Sequence, residues 1–331
     1  MRKVTLRPLL AGLVLASAAR GQGATPTAEG PRHRASAVRV TVLSTMLAGD
    51  PRFKGIGEWG YSALVEVDGR RLLLDTGARS ETVLQNAREL GLDLASVTDV
   101  VLTHNHWDHV GGLLTLRREF SKRNPAALSR VHVGRGIFWP RPSAGGKEDN
   151  GLLPLKAEFE ATGGAFVEHS EPTELLPGVW ITGPIPRPNP ERNYDRAGRV
   201  RTPNGVVEDD LPEDTALVID TQEGLIVLSG CGHAGIINTI EYARKVVRPA
   251  PVHAAIGGLH LFRADEAQLS WTAARLKEFG LANLLAAHCT GMEATFRLRE
   301  LVGLNRQTAV VGAVGSSFTL GKGIDPLQLA R

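Results

Sequence analysis

Residues 103–112 read Thr-His-Asn-His-Trp-Asp-His-Val-Gly-Gly and place His104, His106, Asp108 and His109 within six positions. The run follows the apolar triplet Val100-Val101-Leu102, which predicts a buried strand over 100–103. Side chains of a strand alternate between its faces, so His104 and His106 emerge on the same side. Asp108 and His109 come next, where the Gly111-Gly112 pair is expected to let the chain turn tightly. Three imidazoles and one carboxylate on a single turn are typical ligands for zinc or a similar divalent metal. Surface histidines clustered by chance would lack both the apolar strand in front and the double glycine behind. The decapeptide reads as a metal-binding loop.

Further potential ligands stand at the ends of other apolar runs. Ile226-Val227-Leu228 leads into Ser229-Gly230-Cys231-Gly232-His233, and Leu284-Leu285-Ala286-Ala287 leads into His288-Cys289-Thr290-Gly291. His260 follows Ile256-Gly257-Gly258-Leu259, and Asp75 ends Leu72-Leu73-Leu74. The elements that must carry these groups can be read in outline. Strands are predicted over 38–47 and 61–67, with Asp68-Gly69 turning the hairpin into a strand at 71–74. Ser80 is expected to cap a helix through Leu90 that Gly91 ends, and a helix is expected over 112–120. The second half follows a similar plan, with strands at 216–220, 225–228, 252–256, 283–287 and 309–314 and helices at 236–247, 264–279 and 293–301. Residues 134–160 and 184–205 read as irregular excursions. The latter holds Pro184, Pro186, Pro188 and Pro190 and five arginines, Arg187, Arg192, Arg196, Arg199 and Arg201. Long loops of this kind are usually functional or disordered, and a substrate-facing lid, a subunit contact and a solvated loop all stay open.

These motifs, in this order, resemble the metallo-β-lactamase fold superfamily over about residues 38–320. The later ones are similar to its dihydropterin-ribofuranosyl-aminobenzene-phosphate synthase-like branch. The resemblance implies an α/β fold, a four-layer αββα sandwich of two mixed sheets with outer helices. It implies that His104 and His106 hold one metal, that Asp108 and His109 hold a second, and that His288 joins the second. Many relatives carry a bridging Asp where this chain has Ser229-Gly230-Cys231, so Cys231 as a thiolate or His233 as a nitrogen donor takes that place. Many hydrolytic relatives also place a ligand histidine in a Pro-Gly-His-Thr segment. Here the matching stretch, 177–183, holds no histidine, so one ion or two is an open question. His260 is expected to line the pocket, and Asp75 to orient a ligand histidine rather than bind metal. His33, His132, His169 and His253 lack motif context and read as surface or core residues.

The implied activity is that of a metal-dependent hydrolase. A bound metal lowers the pKa of a coordinated water toward ~7 and polarises a scissile carbonyl or phosphoryl group. Asp108 and His260 are the expected catalytic side chains, and an ester, lactone, amide or phosphoester in a small molecule is the expected substrate. Zinc is the expected ion, with iron or manganese compatible with the donor types. The alternative is a ligand-binding member of the fold with little or no catalysis, and a true β-lactamase is a further variant. Metal-centred redox chemistry fits poorly, because flavodiiron relatives carry Glu where this chain has His106.

The 331 residues, 42% hydrophobic, suffice for one large core. Arg2, Lys3 and Arg7 precede an apolar stretch from Leu9 to Ala19 that ends in small residues, the order of a secretory signal peptide at 1–19. A disordered leader over 20–37 and a hydrolase domain over 38–331 would follow. Those three cations account for the whole excess of 38 Lys and Arg over 35 Asp and Glu, so the near-neutral remainder suggests no nucleic-acid partner. The expected product is periplasmic or secreted, without stable membrane insertion after cleavage, and self-association into a homo-oligomer stays open. A disulfide between Cys231 and Cys289 is also left open.

Overall fold

The computed structural model describes Met1 and residues 33–328. Apart from Met1, the expected export segment and residues 20–32 lie outside the described residues. Residues 33–37 do not behave as a disordered leader. Ala35 is fully buried, its N–H donates to Asp220 O at 2.7 Å, and Ser36 and Ala37 donate to Asp68. A short polar segment can stay ordered when its backbone groups find partners of this kind.

In chain order the first half holds β1 (Val38–Ser44), β2 (Ser62–Val67), β3 (Arg70–Leu74), α1 (Thr82–Glu89), β4 (Asp99–Leu102), α2 (Trp107–Val110), α3 (Leu113–Ser121), β5 (Arg130–Gly134), α4 (Leu152–Glu160) and β6 (Ala165–His169). The second half holds β7 (Thr173–Leu176), β8 (Val179–Ile181), the ribbon β9 (Arg199–Thr202) and β10 (Gly205–Glu208), then β11 (Leu217–Thr221), β12 (Gly224–Ser229), α5 (Ile236–Val246), β13 (Val252–Gly257), α6 (Glu266–Glu278), β14 (Asn283–Ala286), α7 (Met292–Val302) and β15 (Ala309–Val311). Strands β16 (Ser317–Thr319) and β17 (Gly323–Asp325) then return to the first sheet.

One mixed sheet runs β17-β16-β1-β2-β3-β4-β5-β6 and the other β15-β14-β13-β12-β11-β8-β7. In each, four adjacent strands are parallel, β3 to β6 and β12 to β15, and the remaining pairings are antiparallel. Alternation along single strands explains the layering. Ile226 and Leu228 join the apolar layer between the sheets, while Leu225 and Val227 join the layer under α5–α7. In the first sheet Leu72 and Leu74 face inward, and Leu73 faces the layer under α1, α3 and α4. Strands buried on both faces read as continuous apolar runs, and this is the expected αββα sandwich.

Other expectations needed correction. Asp68 and Gly69 both have positive φ, 47° and 79°, as a two-residue hairpin turn requires. Ser80, however, does not cap α1, which starts after Glu81 without a side-chain cap. Residues 134–160 are not wholly irregular: α4 occupies the last nine, and its Pro154 sits in the first turn, where a missing N–H costs little. Residues 199–208 form the β9–β10 ribbon rather than loop.

Candidate metal centre

The candidate ligands all follow the carboxyl ends of parallel strands, where the chain must leave the sheet. Asp75 follows β3, His104 and His106 follow β4, Cys231 and His233 follow β12, His260 follows β13 and His288 follows β14. Two sheets facing each other therefore aim their loops at one crevice, the usual ligand position in open α/β sheets. The double glycine has a different role from the one expected. Gly111 and Gly112 have ordinary helical φ values of −61° and −87°. A Cβ on Gly111 would lie 1.8 Å from Ala78 O, and one on Gly112 2.4 Å from Thr76 O. Glycine is needed there because the backbone after β3 packs directly on the metal loop.

The donors fall into convergent groups whose atoms lie within 4.8 Å of one another. His104, His106 and His233 form one; Asp108, His109, Cys231 and His288 form a second; Cys231, His260 and Cys289 form a third that shares Cys231. The ring centroids of His104, His106 and His233 are 4.6–4.7 Å apart. Sequence reasoning left Cys231 and His233 as alternatives, and the structure brings both in, to different groups. The stretch 177–183 contributes no donor, and His233 stands where the first group would otherwise have two members. Both cysteines are free thiols.

The hydrogen bonds set the tautomers. Thr103 Oγ1 donates to Asp75 Oδ2 at 2.9 Å, so it accepts from His104 Nδ1 at 3.0 Å. His109 Nδ1 donates to Asp75 Oδ2 at 2.7 Å, and His233 Nδ1 donates to the carbonyl of Asn193. Each ring therefore keeps its Nε2 lone pair for the crevice. His109 Nε2 meets Cys231 Sγ at 3.1 Å. Nε2 of His104 and His233, and both nitrogens of His288, are buried without a hydrogen-bond partner; His288 Nε2 lies 3.2 Å from Asp108 Oδ2 without hydrogen-bond alignment. Orphaned buried nitrogens are costly in a finished core, and here those of His104 and His233 converge with His106, while those of His288 converge with a carboxylate and a thiol. This donor set fits divalent metal. Asp75, His260 and His288 also hold left-handed backbone, φ 52°, 51° and 47°, a strain that clusters at functional sites.

Burial, then the neighbouring imidazoles, push His104 and His233 well below the usual imidazole pKa. Burial likewise lowers His106 to about 4. Burial opposes charge on His109, but Asp75 and Asp108 outweigh it and raise that ring to about 9. Burial works against ionisation of Asp108, yet His109 and His288 hold it below the usual carboxylate range. Burial pushes the Cys231 thiol up. Neutral His104, His106 and His233 beside an ionised Asp108 are in the protonation states that ligation requires, whereas His109 and Cys231 would each release a proton on ligation.

Asp108, Cys231 and His288 of the second donor group line a cavity of about 380 Å³, whose walls include Trp59, Trp107, Phe262 and His260. A neighbouring cavity of about 670 Å³ shares His106, His233 and His260 and has Arg192, Arg196 and Arg263 in its wall. Trp59, Trp107 and Phe262 are exposed despite their size. Sequence reasoning missed them, although Trp107 lies inside the metal-loop motif and Phe262 lies two residues beyond His260. It also missed Asn193 and Thr103, whose roles depend on contacts with other parts of the chain.

The profile of the Metallo-beta-lactamase superfamily matches residues 60–247. This chain belongs to the metallo-beta-lactamase superfamily. It is 32% identical over 246 residues to the 7,8-dihydropterin-6-methyl-4-(beta-D-ribofuranosyl)-aminobenzene-5'-phosphate synthase of Methanocaldococcus jannaschii, covering 71% of this chain and 82% of that protein. An uncharacterized protein of the same organism is 26% identical over 257 residues, 75% of this chain and 90% of its own length. Among solved structures it is similar to Tm1679, described as a metal-dependent hydrolase of the beta-lactamase superfamily, with TM-score 0.64, 26% identity and coverage of 80% and 93%. The metallo-beta-lactamase fold protein YhfI of Bacillus subtilis shares the fold at TM-score 0.52 and 14% identity, over 86% of this chain and all of that one. Within the superfamily the chain stands with the synthase-like branch.

Proposed function

We propose that this metallo-beta-lactamase superfamily member is a metal-dependent hydrolase of a small molecule bearing an ester, lactone, amide or phosphoester. The observation that carries the reading is the convergence of two donor groups, with orphaned ring nitrogens, beside an open cavity that His106, Asp108, Cys231, His233 and His288 line. His104, His106 and His233 would hold one ion, and Asp108, His109, Cys231 and His288 a second. The donor set favours zinc, with iron or manganese as alternatives. Ions in these places supply Lewis acidity and lower the pKa of water. Asp75 fixes the ring of His109, and Thr103 that of His104. Asp108, next to both His109 and His288, presents an ionised carboxylate at the cavity floor that can orient an attacking water. His260 reaches into both cavities, where it can contact substrate. The arginines of the larger cavity suit an anionic group, and Trp59, Trp107 and Phe262 suit a flat or apolar body.

The likeness to a protein named as a synthase supports a second reading, in which the same centre serves attack by a nucleophile other than water. A third is ligand binding without turnover. Metal analysis of the purified chain, with a panel of esters, lactones, phosphodiesters and β-lactams, separates them. Hydrolysis that is lost in His106→Ala supports the hydrolase. Protein that binds no metal, or full activity in that variant, overturns it. Arg2, Lys3, Arg7 and the apolar run to Ala19 also support export to the periplasm or medium. A mature N-terminus near Ala19 or Arg20 is expected on N-terminal sequencing, and one at Met1 overturns cleavage.

A further inference from the structure

Residues 189–196 belong to the proline-rich excursion, and they touch the centre from two sides. Behind His233, the Asn193 carbonyl accepts from its Nδ1, and Asn193 Nδ2 donates to Gly232 O at 3.3 Å. Just beyond, Glu191 is buried against the start of α5, taking Ile237 N at 3.1 Å and Asn238 N at 2.9 Å. That contact needs Gly235, since a Cβ there would lie 2.2 Å from the Glu191 carboxyl carbon. Asn189 adds bonds to Asn238 Oδ1 and to Glu241 Oε2 at 2.8 Å. In front, Arg192, Tyr194 and Arg196 line the cavity that also exposes His233. The segment after β12 contains three glycines, Gly230, Gly232 and Gly235, whose lack of side chains leaves little to hold His233 by packing alone. Its placement therefore depends on groups from outside the segment: Asp214 Oδ2 accepts from Ala234 N at 2.6 Å, and Asn193 is the one that bonds the His233 ring itself.

We propose that residues 189–193 act as a strap that positions His233, with Glu191 and Asn193 as positioning residues for the donor group His104, His106 and His233. Glu191 fixes the start of α5 and with it the short link from Cys231. The backbone carbonyl of Asn193 fixes the ring's tautomer and direction, and the Asn193 side chain, through Gly232 O, holds that carbonyl against the ring, which is the support that Asn193→Ala removes. The strap continues into the cavity wall at Arg192, Tyr194 and Arg196, so the same few residues couple substrate contact to the place of a ligand. The inference rests on the proposed metal reading of His233.

The test uses the full chain as wild type, His233→Ala, Glu191→Gln and Asn193→Ala. Each is stripped with a chelator and titrated with Co(II), followed by its visible absorption and by metal equivalents. His233→Ala identifies the band that belongs to its group. Glu191→Gln and Asn193→Ala are expected to weaken that band's affinity about 10- to 100-fold, the usual cost of losing an outer support, while the remaining Co(II) binding is unchanged. Melting of the metal-free proteins separates this from a merely structural role, which would lower the melting temperature without moving the band. Wild-type affinity at that band in both strap variants, alongside its loss in His233→Ala, overturns the strap and leaves the metal reading intact. A His233→Ala protein that keeps the band overturns the metal reading of His233 and the strap with it. If Glu191→Gln does not fold, Asn193→Ala decides alone, because it leaves the α5 cap in place.

Discussion

Two buried histidine clusters in this molecule differ in one respect. In the first sheet His132 donates from Nε2 to Asp99 Oδ1 at 2.9 Å and accepts at Nδ1 from His169 Nε2 at 3.0 Å, while Arg130 closes on the same carboxylate at 2.8 Å. Both nitrogens of His132 are thus engaged within the protein. At the strand ends, His104, His233 and His288 leave buried nitrogens without partners, the first two converging with His106 and the third with Asp108, His109 and Cys231. Burial and clustering are common to both, so neither marks a metal site. What distinguishes the open cluster is that Thr103 and the Asn193 carbonyl each bind one nitrogen of a ring and leave the other without a partner, while Asp75 holds His109 with its second nitrogen against Cys231 Sγ. A closed cluster stabilises the fold, and an open one is ready for a cation.

The largest contrast is expected from removing one ring of each. His104→Ala should weaken metal binding by more than the roughly 100-fold upper range of outer-partner changes, with hydrolysis falling alongside. His132→Ala should leave metal content at the wild-type value. Equal metal loss from both, by elemental analysis, would erase the distinction.

Asp75 sharpens it next. Its carboxylate accepts from Thr103 N, Thr103 Oγ1 and His109 Nδ1, and an amide cannot accept from all three in the same way. Asp75→Asn should lower metal affinity about 10- to 100-fold, read by competition with a chromogenic chelator. Unchanged affinity would mean that the rings do not depend on their outer partners.

In the closed cluster the expected effect is on stability and depends on pH. Burial opposes charge on Asp99, but His132, Arg130 and Thr98 outweigh it and hold the carboxyl below its ordinary value of 3.8. A depressed acid stabilises the fold above its unfolded pKa and ceases to do so as pH falls through the folded value. Asp99→Asn should therefore cost about 1–2 kcal/mol at neutral pH, discounted for the exposed Arg130, and the deficit should shrink below about pH 4. Denaturant melts at pH 7 and pH 3 measure it; an equal deficit at both values would show that charge is not the stabilising feature.

The smallest effect concerns what the open cluster faces. Trp107 is 63% exposed, so Trp107→Ala should leave stability unchanged and raise KM for an aromatic substrate about two- to tenfold. A methyl analogue of the same ester should be unaffected. Equal change for both would remove the aromatic wall from the proposed substrate contacts.

His104, His106, Asp108 and His109 were legible because one loop carries all four, and a strand followed by a turn brings near neighbours together whatever surrounds them. The sandwich was legible in Leu72-Leu73-Leu74 and Leu225-Ile226-Val227-Leu228, because a strand covered on both faces needs apolar side chains at every position. Strands β6 and β7 were not, since Ala165–His169 and Thr173–Leu176 are largely exposed or half-buried and carry no such pattern.

The family, the layered fold and the candidate ligand loop at 104–109 were readable from the chain alone, because all of them rest on local patterns of polarity and spacing. The tertiary structure alone placed both Cys231 and His233 among the candidate donors, each in a different group. It decided that Gly111 and Gly112 serve a close backbone approach rather than a special turn, and that a proline-rich loop grips His233. It also separated the open histidine cluster from the closed one. Each of these depends on which strand ends and loops meet across two sheets, and the distance between them in space bears no simple relation to their distance along the chain.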